Sequence, residues 1–163
     1  MFEKIKSYLN TGFNFYGVEI FDVDEKTCFQ VSHIQKKKNE LSVLSNYSCA
    51  TFDELLESLD NKIPVCVSYN TKNVLDRIVE KREGRNLDSI IEHAFPNLAI
   101  SRFYFNIASF ENENYLAIVE KKTIDVLIQN FTKAKIRVAS LCIGISSLVE
   151  VCLLYTSPNP RDS

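Results

Sequence analysis

Between Phe13 and Cys49 three strand-like segments follow one another with almost no chain between them, and this spacing constrains the fold more than anything else in the sequence. "FNFYGVEIFDV" is rich in aromatic and β-branched residues, and "KTCFQVSHIQ" alternates apolar and polar residues from Cys28 through Ile34. "ELSVLSNYSCA" follows after a lysine-asparagine tip. The polar turn "DVDEK" joins the first two segments. Links this short join only antiparallel neighbours, because a parallel pair needs a crossover of about a dozen residues or more. The chain therefore opens as an antiparallel meander.

The next segment changes period. In "TFDELLESLDN", Phe52, Leu55, Leu56 and Leu59 form one apolar stripe, with Thr51 or Asp53 placed to cap, so a helix is expected. "KIPVCVSYN", bounded by Pro64 and Asn70, reads as a buried strand that enters the same sheet. From Thr71 to about Phe95 the spacing of Val74, Leu75, Ile78 and Val79, and then of Leu87, Ile90, Ile91 and Ala94, predicts two helical stretches divided at Gly84. "SRFYFNIASF" and "NYLAIVEK" flank "ENEN" as a hairpin. "KTIDVLIQNFTKAKI" is an amphipathic helix carrying Ile124, Leu127, Ile128 and Phe131, and "RVASLCIGISSLVEV" reads as a buried strand with Gly144 at its end. Before all of these, Phe2, Ile5, Tyr8 and Leu9 fall at helical spacing, which predicts a short amphipathic helix. The fold class is α/β, a three-stranded antiparallel meander continued by helix crossovers into a mixed sheet.

Bulk properties exclude several functions. The chain has 163 residues, 45% hydrophobic and 25% charged, an ordinary globular composition for about one domain. With a formal net charge of -2 it lacks the basic footprint that nucleic-acid binding requires, so no nucleic-acid partner is expected. The run Lys36 to Lys38 is expected to be a solvated hairpin tip. No stretch reaches the roughly 18 to 20 apolar residues needed to cross a bilayer, and "MFEKIKSYLN" does not have the pattern of a signal peptide. Cys28, Cys49, Cys66 and Cys142 are dispersed on apolar strand patterns, as buried thiols in a reducing compartment would be. His33 and His93 have no partners at metal-ligand spacing, so no metal site is expected. Together these features imply a cytoplasmic protein.

The end of the chain reads differently from the rest. "CLLYTSPNPRDS" follows an apolar strand pattern with two prolines and a polar tail. From Cys152 to Asp162 it resembles one reading frame of a transposon adapter used to prepare sequencing libraries, with Asn159 where that frame gives Ser. On this reading 152–163 is a non-native tail and 1–151 a truncated domain.

Two blocks resemble a known family. "MFEKIKSYLN...YGVEIFDVDEKTCFQVSHI" is similar to the opening of the type IV pilus assembly protein PilM. "NYLAIVEKKTIDVLIQNFTKAKIRVASLCIGISSLVEV" resembles a segment shared by PilM and the cytoplasmic domain of the GspL-type secretion protein. The resemblance spans Met1 to Val151 and lies in element order and apolar pattern. It implies an actin-like half domain of the actin, sugar kinase and Hsp70 superfamily. It also implies ATP as the superfamily's cofactor, bound at a first phosphate loop between the first two strands.

The matching positions here are Glu19, Phe21, Asp22 and Asp24 in "GVEIFDVDEK". Glu19 stands where PilM-like proteins carry an aspartate, and Phe21 stands where the close-approach glycine should be. No Ser or Thr follows until Thr27. A phenylalanine removes the room for a phosphate, and Asp22, Asp24 and Glu25 repel its charge, so no nucleotide cofactor is expected. Asp22 and Asp24 are also hard oxygen ligands suited to Mg²⁺, against which stands their ordinary use in a solvated turn. "CIGISS" admits either an anion nest or a simple turn in which Gly144 is followed by Ser146 or Ser147 as a helix cap.

No GxxxxGK[ST], GxSxG or HExxH motif is present, and catalytic residues are not expected. Two functions follow from the resemblance. One is a cytoplasmic scaffold of a type IV pilus or type II secretion platform, at the inner membrane, that binds a membrane-anchored assembly protein. The other is a truncated divergent kinase of the same superfamily. A half domain would also expose an apolar patch near Leu141 to Val151.

Overall fold

The computed structural model describes residues 13–38, 40–81, 86–109 and 112–145. The leader helix expected over residues 1–10, the break at Gly84, the serines of "CIGISS" and the tail 152–163 lie outside the described residues. Two compact units are present. Among the described residues the first comprises 13–71 and 125–141, and the second 72–124 and 142–145.

The first unit is built on a five-stranded mixed sheet. Its strands are β1 (Phe13–Val23), β2 (Lys26–Lys37), β3 (Glu40–Cys49), β4 (Val65–Asn70) and β8 (Val138–Ile143), in the order β3-β2-β1-β4-β8, the last two residues of β8 being counted with the second unit. The expected meander is present, with β1 antiparallel to β2 and β2 antiparallel to β3. After α1 (Phe52–Ser58), β4 returns on the other side of β1 and runs parallel to it, with Val18 opposite Val67 and Ile20 opposite Tyr69. A helix is the connection a parallel neighbour requires.

Register decides which side chains form the core. Tyr16, Val18 and Ile20 on β1 stand level with His33, Val31 and Phe29 on β2 and with Val65, Val67 and Tyr69 on β4. Alternate residues share a face, so these positions line one side of the sheet. All of them except His33 are buried. Onto this side pack α1 and the part of α3 (Lys121–Lys133) that belongs to this unit. Phe52 bridges the layers, with its ring 5.8 Å from Phe29 and edge-on at 5.4 Å to Phe131. Leu55 and Phe131 are wholly buried at the helix-to-sheet contact.

Local chemistry fixes the helix ends. Thr51 caps α1, its hydroxyl accepting from the Glu54 N–H at 3.2 Å, while the Glu54 carboxylate accepts from the Ala50 N–H at 2.8 Å. This reciprocal arrangement satisfies two backbone donors that the first turn leaves unpaired. Just past the end of α3 at Lys133, Lys135 takes a φ of 61°, and the Ile136 N–H donates back to the Phe131 carbonyl at 2.9 Å. A left-handed residue in this place closes the open carbonyls of a last turn.

The second unit carries a three-stranded antiparallel sheet in the order β5-β7-β6, made of β5 (Leu75–Glu80), β6 (Phe103–Ser109) and β7 (Glu113–Glu120). The expected β6–β7 hairpin is present. Central β7 is buried from Asn114 to Val119. Against one face lies α2 (Leu87–Ala94), capped by Asn86, whose side chain accepts from the Ser89 N–H at 2.9 Å. Ile91, Phe95, Leu116 and Ile118 form the core there.

Three expectations are corrected. The stretch expected to be helical around Val74 to Val79 is strand β5, with only Leu87–Ala94 helical. Its apolar spacing fits a helix in isolation, but pairing along β7 from Leu75↔Ile118 to Glu80↔Glu113 satisfies the backbone instead, and the β-branched Ile78 and Val79 suit that ladder. Strand β8 is not buried through its length: Ala139 and Ser140 are exposed and only Ile143 is buried, because among the described residues β8 has β4 as its single neighbour in the sheet order. Among the four cysteines within the described residues only Cys49 is buried. Cys28 and Cys66 are level with Phe21 and Gly17, on the face opposite the one that packs the helices.

Phe131→Ala removes a wholly buried ring that packs edge-on against Phe52, the residue that meets the sheet at Phe29. It is expected to cost about 3–5 kcal/mol of stability, read as a lower midpoint in chemical denaturation. Thr51→Ala is expected to cost about 1 kcal/mol in the same measurement.

Candidate functional site

The positions matched to a phosphate loop form the closing end of the β1–β2 hairpin. Val23 pairs with Lys26 and Asp22 with Thr27, so the loop consists of Asp24 and Glu25 alone. Their φ values are 47° and 65°. Two consecutive left-handed residues define the tight turn that matches the twist of a hairpin, a place where Asn-Gly or Asp-Gly is preferred. Here neither residue is glycine, and Glu25 holds a conformation that costs an L-residue roughly 1–2 kcal/mol.

The four singled-out residues do not converge. Glu19 and Phe21 point to one face of β1, level with Gln30 and Cys28 on β2 and with Ser68 and Asn70 on β4. Asp22 alternates to the opposite face, where its carboxylate accepts from the Thr27 hydroxyl at 2.8 Å. Asp24 is exposed in the turn, as is Glu19 in mid-strand, whereas Phe21 and Asp22 are half-buried. A turn of two residues leaves no loop backbone to wrap an anion, and its side chains add two carboxylates at the tip. Among the described residues no group of three His, Cys, Asp or Glu is placed to hold a metal ion.

Sequence reasoning left undecided what Gly144 does. Its φ is +67°, and a Cβ there would collide with the Tyr115 hydroxyl and stand 2.9 Å from the Ala117 methyl. The backbone approaches that closely because the Ile145 N–H donates to the Tyr115 oxygen at 3.1 Å and the Ile143 N–H donates to Asn106 Oδ1 at 2.7 Å. Gly144 therefore lets the chain after β8 lie against the β6–β7 hairpin. Tyr115 is 2% exposed, and burial pushes its phenol above the usual range, partly offset by the hydrogen bond from Ile145. Nothing in the sequence singled out Tyr115, since a tyrosine within an apolar strand is an ordinary core residue.

The patch expected near Leu141 to Val151 is only partly within the described residues. Ile145 is 40% exposed, while Ile143 is buried. His33 sits with its ring centroid 4.7 Å from Tyr16, and His93 lies in the exposed last turn of α2.

With this geometry established, the class of fold is clear. The mixed sheet, the helix crossover and the order β3-β2-β1-β4-β8 give the actin-like α/β architecture found in secretion and pilus assembly proteins. In particular, the chain is similar to the cytoplasmic domain of EpsL, an inner membrane component of the type II secretion system of Vibrio cholerae. The TM-score is 0.58 at 15% identity, over 79% of this chain and 57% of that one. It is also similar to the PilM–PilN type IV pilus biogenesis complex, with a TM-score of 0.57 at 10% identity over 79% of this chain and 47% of that one. A Bacteroides thetaiotaomicron protein described as having an actin-like ATPase fold and unknown function gives a looser superposition, with a TM-score of 0.45 at 13% identity, covering 96% of this chain and 60% of that one. The chain thus spans about half the length of the solved proteins it matches. No family model and no curated protein matches it.

Two outcomes follow from the turn and from Tyr115. Glu25→Gly relieves the left-handed glutamate and is expected to raise stability by a few tenths to about 1 kcal/mol in chemical denaturation. Because the folded-state phenol of Tyr115 titrates above its unfolded value near pH 10, its contribution is complete below that pH and is lost as pH rises through the folded value. Tyr115→Phe is therefore expected to flatten the alkaline fall of the melting temperature, and Tyr47, raised by burial in the same way, to account for part of what remains.

Proposed function

We propose that this chain acts as a cytoplasmic scaffold in a type II secretion or type IV pilus assembly platform, working at the inner membrane by binding a membrane-anchored protein of the same platform rather than by turning over a nucleotide. The observation that carries this reading is the β1–β2 turn. An actin-like sheet that used ATP would need backbone N–H groups and glycine close to the phosphates at this place. Here it has a two-residue turn of Asp24 and Glu25, with Phe21 and Glu19 behind it. Three negative side chains at the tip, counting Asp22, oppose a triphosphate by Coulomb repulsion.

One further fact supports the reading. The sheet is shared with an inner membrane secretion component and with a pilus biogenesis complex in which PilM is paired with PilN.

The test has two arms. Titration of Mg-ATP into the purified chain is expected to give no saturable heat. Cytoplasmic segments of the membrane proteins encoded beside its gene are expected to yield one that binds at micromolar or tighter affinity, with the affinity unchanged by added Mg-ATP. Saturable Mg-ATP binding abolished by Asp22→Asn would overturn the scaffold reading in favour of the kinase.

A further inference from the structure

Strand β3 ends the five-stranded sheet, and among the described residues nothing pairs with its outer edge. An unpaired edge presents a row of backbone donors and acceptors to any other strand. Proteins ordinarily protect such edges with lysine, proline, inward-pointing charge or a bulge, and β3 carries one register irregularity, at Leu44, which has no partner between Ile34↔Val43 and His33↔Ser45. Here Leu41 to Cys49, "LSVLSNYSC", contains no charge and no proline. Leu41 is 67% exposed, Val43 65% and Leu44 51%. Leu41 and Val43 are level with Lys36 and Ile34 on β2, and these in turn with Phe13 and Phe15 on β1, so Val43, Ile34 and Phe15 form an apolar row across the sheet.

Charge at the two ends of the strand says what fits there. At its start lies the exposed tip Lys36, Lys37 and Lys38, offset only by Glu40. At its other end lies α1, held against β3 by the Tyr47 hydroxyl on Ser58, 3.2 Å to its Oγ. Asp53 and Glu57 are exposed on α1 and one turn apart, so they share a face. Glu54 is excluded from that face's free charge, since it already accepts the Ala50 N–H. A strand that is basic at one end, acidic at the other and uncharged between is complementary to an antiparallel copy of itself.

We propose that two copies of this protein associate by antiparallel pairing of β3 with β3 about a two-fold axis near Leu44 and Ser45. The pairing makes one continuous sheet from two five-stranded ones. With the axis at Leu44, it sets Leu44 opposite Leu44, Val43 opposite Ser45 and Leu41 opposite Tyr47 of the other copy, and it brings each lysine tip to the end of the strand where Asp53 and Glu57 of the other copy lie. The contact is isologous, so the same patch serves on both sides and the assembly closes at two. This does not depend on the scaffold reading, and it uses none of the residues at the β1–β2 turn.

Sedimentation velocity of the whole chain across the micromolar range tests it. A reversible monomer–dimer equilibrium is expected, weakened at least about tenfold by Leu44→Lys, which leaves the circular dichroism spectrum and melting temperature of the monomer intact. Reversing the tip (Lys36→Glu, Lys37→Glu and Lys38→Glu together) or the helix (Asp53→Lys with Glu57→Lys) is expected to weaken the dimer similarly. Both reversals in one chain are expected to restore it, and added salt to weaken the unmodified dimer. Amide exchange should slow along Leu41 to Cys49 as concentration rises. A monomer at all concentrations, a dimer indifferent to Leu44→Lys, or a combined reversal weaker than either single one would overturn the proposal.

Discussion

Strand β1 is the element on which the rest of the first unit depends. It is hydrogen-bonded on both sides, antiparallel to β2 and parallel to β4, so its register sets the register of both neighbours. Its alternate residues Tyr16, Val18 and Ile20 then become the floor on which α1 and α3 rest. A slip of one residue would turn that floor to the other face and present Glu19 to the helices. The hydrophobic alternation and the tight Asp24-Glu25 turn act together against such a slip: the turn fixes the pairing and the alternation makes it the favourable one.

The same turn bears on function. A hairpin closed by two residues has its backbone committed to the ladder up to the Val23–Lys26 pair. An anion site needs several adjacent N–H groups left free and space above them, which is why such loops are long and rich in glycine. Here the register that makes the sheet firm also removes the loop. The left-handed Glu25 shows that the chain maintains this tight closure even without the glycine that would make it easy.

Much of this was legible in the sequence, and the failures are specific. The meander, α1 with its Thr51 cap, β4, the β6–β7 hairpin and α3 were all marked by local period and by capping or turn residues. β5 was not, because Val74, Leu75, Ile78 and Val79 lie at helical spacing, and only the presence of β7 beside them makes a strand the better home for those backbone groups. The exposure of β8 was hidden for a related reason: an apolar run reads the same whether it has one neighbour or two. At the candidate site, Phe21 and the acidic turn were visible, whereas the division of Glu19 and Phe21 from Asp22 across the two faces became plain only with the register.

By itself, then, the sequence determined the local elements, the α/β class and the chemistry of the β1–β2 turn, because these rest on short-range period, capping and side-chain type. Only the tertiary structure decided that the strands divide into two sheets, that β3 and β8 are edges, and that Gly144 is needed to bring the backbone against Tyr115. Each of those depends on which segment lies beside which. That is settled by long-range hydrogen bonding and burial, which no window of neighbouring residues contains.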